Sequence, residues 1–221
     1  DSNGNRSCWA MIYMFQTFGG TGDKIEGIAQ KTSVITEINN IKNGLKLAAK
    51  SNNIGIGTST DTVNTLIGLA RLAYFPEQVN SQITTTLAGA ARTGDSYNDY
   101  YAISFGGEET TVTNSAMKIS LVAPVAGIVP GIYVEFQTAG SLGANAGFLE
   151  SQIANDLQDI AYVDRAATAI PTTLTARTGT TTTALDRRLP TTTTATSTQL
   201  SDGKFIIYFN DFGADEVVIA D

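Results

Sequence analysis

One stretch constrains the fold more than any other: Asp23 to Lys50, DKIEGIAQKTSVITEINNIKNGLKLAAK. Ile25, Ile28, Ile35, Ile38, Ile41, Leu45 and Ala48 recur at steps of three, four and seven. That spacing predicts one long amphipathic helix, with Lys24, Glu26, Gln30, Glu37 and Lys46 assigned to its other faces. Gly22 and Asp23 mark its start and Ser51-Asn52-Asn53 its stop. At about 1.5 Å per residue such a helix runs on the order of 40 Å, long for one compact core. Gly27 and Gly44 each cost roughly 1 kcal/mol relative to Ala, so packing rather than propensity must hold it.

Upstream lies an apolar run, Cys8 to Phe18, CWAMIYMFQTF. As a helix it spans about 16 Å, too short for a bilayer core of roughly 30 Å. Three readings fit it: a buried strand or helix end, the remnant of a longer hydrophobic segment, or a surface that docks on another subunit. Trp9, Met11, Tyr13, Phe15 and Phe18 are costly to leave in water, so each reading covers them.

Beyond Ser51, the Gly55 and Gly57 region reads as a loop, followed by a helix begun by Thr60 or Asp61 and ended near Phe75 by Pro76. A third short helix carries Val79, Ile83, Leu87 and Ala90. From Asp95 the texture turns to β: Tyr100–Phe105, Met117–Val122 and Ile132–Phe136 alternate, with Met117, Ile119 and Leu121 on one face and Ile132, Val134 and Phe136 on another. Residues 144–161 return to helical spacing through Phe148, Leu149, Ile153, Leu157, Ile160 and Ala161. Residues 172–200 are threonine-rich and read as exposed edge strands or a solvated surface segment, with surface glycans as the functional alternative. Lys204–Asn210 and Val217–Ile219 read as closing strands. The expected fold is α+β, a long N-terminal helix packed on an antiparallel β-sheet with short extra helices. Its parts are an apolar segment 1–22, a helical region 23–94 and a sheet region 95–221, the last two forming one domain.

The chemistry is sparse. The chain has 221 residues, a net charge of −7, no histidine and one cysteine, Cys8. The acidic balance argues against a nucleic-acid partner, because nothing neutralises phosphates. The lone cysteine excludes an internal disulfide framework, and the absence of histidine removes the usual general base and the commonest metal ligand. Gly19–Lys24 fails both the GxxxxGK[ST] and GxGxxG spacings, and Asp211-Phe212-Gly213 stands without the other kinase elements. Carboxylates gather at Asp211, Asp215, Glu216 and Asp221, and at Asp156, Asp159 and Asp164, in no EF-hand pattern; they read as solvated acidic faces rather than calcium ligands. No catalytic residue, metal site or cofactor is expected, and the residues argue against an enzyme.

The order of parts resembles type IV pilins, particularly the type IVb group. AMIYMFQTFGG (Ala10–Gly20) is similar to the end of the family's hydrophobic segment, the stretch Asp23–Lys50 to its amphipathic half-helix, and Ile56–Val79 to its connection before the sheet. The family's prepilin cleavage site, its glutamate near the mature N-terminus, its full hydrophobic segment and its C-terminal cysteine pair have no counterpart in these residues. The resemblance implies a non-catalytic, self-assembling subunit of an extracellular, cell-surface filament, with copies of itself as partners and a precursor N-terminus able to insert in a membrane. Trp9, Met11, Tyr13, Phe15, Phe18, Ile25, Ile28 and Ile35 are the expected assembly contacts. A viral coat or tail protein shares the low charge and self-assembly. An extracellular carbohydrate-binding module or hydrolase, with Tyr97, Tyr100 and Tyr101 lining a cleft, is the remaining alternative.

Overall fold

The computed structural model describes residues 22–51, 65–77, 79, 98–102, 116–122, 128–171, 173–177, 189–191, 193–212 and 216. The predicted long helix is present as α1, Gly22–Lys50. At 1.5 Å per residue its 29 residues extend about 43 Å. Its core face runs Val34, Ile38, Ile41, Leu45 and Ala48, each 0% exposed.

That face lies on an antiparallel five-stranded sheet formed by β1 (Asp99–Ala102), β2 (Met117–Leu121), β3 (Gly131–Phe136), β4 (Ala161–Asp164) and β5 (Lys204–Phe209), in the order β1-β2-β3-β5-β4. Register places Ile119 opposite Val134, Val134 opposite Phe205, and Ile132 opposite Ile207. Period-two alternation therefore carries Met117, Ile119, Leu121, Ile132, Val134, Phe136, Phe205, Ile207 and Phe209 to one face, all buried in the same core as α1. Asn98 extends the β1–β2 edge with its side chain: its amide accepts from the Leu121 N–H at 3.0 Å and donates to the Leu121 carbonyl at 2.6 Å. The architecture is α+β, as expected.

Two further helices complete it. α2, Leu66–Arg71, is capped by Thr65, whose hydroxyl accepts from the Gly68 N–H at 3.0 Å. It stops short of Phe75, where Pro76 was expected to end it. Ala73 adopts φ 62°, and the bonds Ala73 N–H to Ala70 O and Tyr74 N–H to Leu69 O close a Schellman turn. This turn carries Phe75 onto Gly44 of α1, where an added Cβ would sit 2.2 Å from the Phe75 ring and 2.7 Å from the Tyr74 carbonyl oxygen. The mid-helix glycine is thus required by a close crossing. Gly44→Ala is expected to lose about 1–2 kcal/mol by urea denaturation, because overpacking outweighs the roughly 1 kcal/mol gained in helix propensity; an unchanged midpoint would refute the crossing.

The helix expected over 144–161 is shorter. A 3₁₀ turn over Gly143–Asn145 leads into α3, Ala146–Asp156, and residues 161–164 form β4 instead. The cause is tertiary. The outer edge of β5 offers hydrogen-bonding groups to this segment, and pairing through Tyr162 opposite Tyr208 satisfies them, anchored by the Asn210 N–H donating to the Ile160 carbonyl at 2.7 Å. Tyr162 and Val163 also favour extended backbone.

The threonine-rich segment is partly structured. Residues 173–177 and 189–191 run antiparallel, bridged at Ala176 and Pro190, with Arg177 N–H to Leu189 O at 3.0 Å and Thr191 N–H to Thr175 O at 2.8 Å. Leu174 and Leu189 pack against the core, while Thr173, Thr175 and Thr191 are exposed. Residues 173–177 and 189–191 lie on the side of the sheet opposite α1, where Arg177 stacks 4.6 Å over the Tyr162 ring; the preceding stretch accepts there too, the Tyr133 hydroxyl donating to the Thr168 carbonyl. The strand expected over Tyr100–Phe105 is present through Ala102 as β1; its remainder, the strand expected at 217–219, the loop around Gly55 and the helix through Leu87 lie outside the described residues.

Candidate functional site: the outer flank of the long helix

The expected assembly contacts on α1 divide from its core stripe. Successive residues of an α-helix turn by about 100°, so Ile35, Ile28 and Ile25 lie roughly 100°, 120° and 180° around the axis from Val34. Ile35 packs at the margin of the core, whereas Ile25 and Ile28 are half-buried and stand outside the core cluster. A helix packed on one sheet needs one apolar face; α1 carries a second, at its N-terminal end. Trp9, Met11, Tyr13, Phe15 and Phe18 lie outside the described residues.

What occupies the inward positions at that end is polar or absent. Gly27 lets the Phe148 ring of α3 approach so closely that an added Cβ would sit 2.8 Å from it. Gln30, expected off the apolar stripe, is 7% exposed. Its amide donates to the Ser141 carbonyl at 3.0 Å and accepts from the Asn145 side chain at 2.9 Å, so its polarity is satisfied. Lys31 pairs with Asp156 of α3 at 3.0 Å. The first turns of α1 are therefore braced by α3 and the 137–145 loop, and the isoleucines point elsewhere.

Glu37, also expected outside, turns inward and accepts a hydrogen bond from the Tyr100 hydroxyl. Burial pushes its carboxyl above the usual range, and the Tyr100 bond only partly offsets this. This contact removes Tyr100 from any sugar-stacking role, since the ring is 0% exposed. Tyr97 and the Tyr101 side chain lie outside the described residues.

The C-terminal half of α1 is fastened by cations. Lys42 Nζ meets Asp211 Oδ2 at 2.7 Å and lies 5.1 Å from the centre of the Phe209 ring; Lys46 donates to the Asp211 carbonyl at 3.1 Å and faces Glu216 at 3.8 Å. Asp211, Glu216 and Asp156 are thus spent on lysines of one helix. Among the described residues no three acidic, cysteine or histidine side chains converge as a metal site.

Sequence reasoning missed Val34, although its step of four to Ile38 signals it. It also passed over Leu47, Leu72 and Leu200, which are 55%, 50% and 41% exposed. Among the described residues no helix is long and apolar enough to cross a membrane. No protein-family model matches the chain, and neither a curated protein nor a solved structure gives a match.

Proposed function

We propose that this protein is a structural subunit of an extracellular filament of the type IV pilus kind, self-assembling and non-catalytic. One observation carries the reading: α1 has an apolar flank at Ile25 and Ile28 that the sheet does not use, directly after the apolar run of residues 8–18. A helix joined to its own sheet along Val34–Ala48 and apolar on a second side is suited to contact other copies. Such contacts are heterologous, and when the rotation does not close they propagate as a helical filament. The exposed threonines of the 173–198 region are available as an outward face and for surface glycans. The cell surface is the matching location, and no nucleic acid or cofactor is involved.

The test is made in the native source. Electron microscopy with mass spectrometry should find this chain in helical filaments, and the double variant Ile25→Asp with Ile28→Asp should abolish them. Because both side chains lie outside the core, the variant protein should keep its denaturation midpoint within about 1 kcal/mol. Filaments that persist in the variant, or a wild-type protein found only as a soluble monomer or in virions, would overturn the proposal.

A further inference from the structure

Three of the most deeply buried aromatic side chains are tyrosines: Tyr100, Tyr133 and Tyr208, at 0%, 1% and 1% exposure. Two have spent their hydroxyls. Tyr100 donates to Glu37, and Tyr133 lies within bonding distance of Glu135 Oε1 at 2.8 Å and the Thr168 carbonyl at 3.1 Å. Among the described residues no hydrogen bond uses the Tyr208 hydroxyl. The buried side-chain atoms left without a partner among the described residues are Asn39 Oδ1 and Ser141 Oγ, so the Tyr208 hydroxyl is not an enclosed orphan. Tyr208 instead lines a cavity of about 410 Å³ on the side of the sheet opposite α1. That volume is in the range of roughly 300–1,000 Å³ found for small-molecule sites.

The geometry points to this cavity as a binding site for a neutral, hydroxyl-rich ligand, a sugar unit, held by the Tyr208 hydroxyl and the Asp164 carboxylate. The residues are placed by register: Ile206 and Tyr208 alternate to the same side of β5, and Asp164 of β4 stands opposite Ile206. Asp164 Oδ1 accepts from the Ala166 N–H at 3.1 Å, which fixes the carboxylate in place. Leu174 of the covering strap adds an apolar wall, and Thr173, Thr191 and Thr193 bring hydroxyls to the mouth.

The chemistry selects the class. Among the described residues no lysine or arginine lines the cavity, so an anion would meet Asp164 without a counter-charge from them in a chain already at −7. Burial and the neighbouring Asp164 keep the proton on Tyr208, so the phenol acts as a donor. An amine would leave that donor unused, and a purely apolar molecule would leave both polar groups unpaired. A sugar accepts from Tyr208, donates to Asp164, exchanges hydrogen bonds with the threonines and lays its C–H face on Ile206 and Leu174.

The inference is independent of filament assembly, and it is tested on the full chain in solution. Ligand-observed NMR titrations with glucose, galactose and N-acetylglucosamine are expected to show saturable binding for at least one, with a dissociation constant on the order of 1 mM. Tyr208→Phe keeps the ring and its packing but removes the donor, and is expected to weaken binding about tenfold with no loss of thermal stability. Asp164→Asn should weaken it as well. Three results would overturn the inference: no saturation by any of the three sugars, Tyr208→Phe binding like wild type, or a sugar-soaked crystal with water alone at the hydroxyl.

Discussion

Leu45→Asp is expected to leave no folded protein at 25 °C. Leu45 is 0% exposed and sits midway along the core face of α1, between Ile41 and Ala48. Truncating a buried leucine alone costs about 2–5 kcal/mol. An aspartate there adds a carboxylate in an apolar site, at several further kcal/mol whether it stays charged or takes up a proton. The nearest cation along the helix face, Lys42, is already paired with Asp211 at 2.7 Å, so recruiting it would break one ion pair to make another. The total approaches the whole stability of a domain this size, about 5–15 kcal/mol. Far-UV circular dichroism with a urea titration reads the outcome. A cooperative transition within 2 kcal/mol of wild type would mean that this face of α1 is not in the core. The same substitution at Ile25, on the outer flank, is expected to change the midpoint little.

Stability is also expected to fall as pH rises from about 5 to 8, and Glu150 is the main cause. This α3 residue is 0% exposed, accepts from the Gly203 N–H at 2.8 Å and receives the Arg165 Nε at 2.9 Å, while Arg165 also donates to the Leu200 carbonyl. One carboxyl thereby ties α3 to the turn after β4 and to the corner before β5. Burial pushes it up to about 7; the Arg165 and Gly203 contacts hold it down in part, and Asp202 adds a smaller upward push. A carboxyl whose folded value lies above its unfolded one binds more protons in the folded state between the two. Its contribution is complete below about pH 4.5 and is lost as pH rises through 7. The raised carboxyls of Glu37 and Asp164 act in the same direction. The expected loss from Glu150 is on the order of 2 kcal/mol. Glu150→Gln keeps an acceptor for Gly203 and removes this titration, so its stability should fall clearly less over that interval than that of wild type. A variant with the wild-type slope would assign the effect to other groups.

How far the candidate surface was legible depends on which residues are asked about. The steps from Ile38 through Ala48 are enough to place the inner face. Treating Ile25 and Ile28 as part of the same stripe fails, while Ile35 reaches only its margin, because steps of three and seven tolerate a drift of tens of degrees. Over thirteen residues from Ile25 to Ile38 the drift carries one end of the pattern to the other side of the helix. Polarity alone places Gln30 and Glu37 off the apolar stripe, on the other faces of the helix. Their partners, Ser141 and Tyr100, are 111 and 63 residues away, and no local pattern announces a distant partner. The acidic cluster at Asp211 and Glu216 is likewise explained only by lysines of α1.

By itself the sequence determined the elements whose periodicity is a property of the backbone: the length of α1, the alternating faces of β2 and β3, the strand β5, and hence the α+β class. The 3.6-residue turn and the two-residue pleat are local, so apolar spacing reports them directly. Only the tertiary structure decided what competition and complementarity settle. Residues 161–164 form a strand because β5 had an unpaired edge to satisfy. Residues 173–177 and 189–191 fold over the sheet because Leu174 and Leu189 find apolar surface there. The cavity beside Tyr208 exists because three separate segments of the chain, those around Asp164, Thr191 and Ile206, meet there. Such outcomes depend on which surfaces meet, and that is fixed by the whole chain at once.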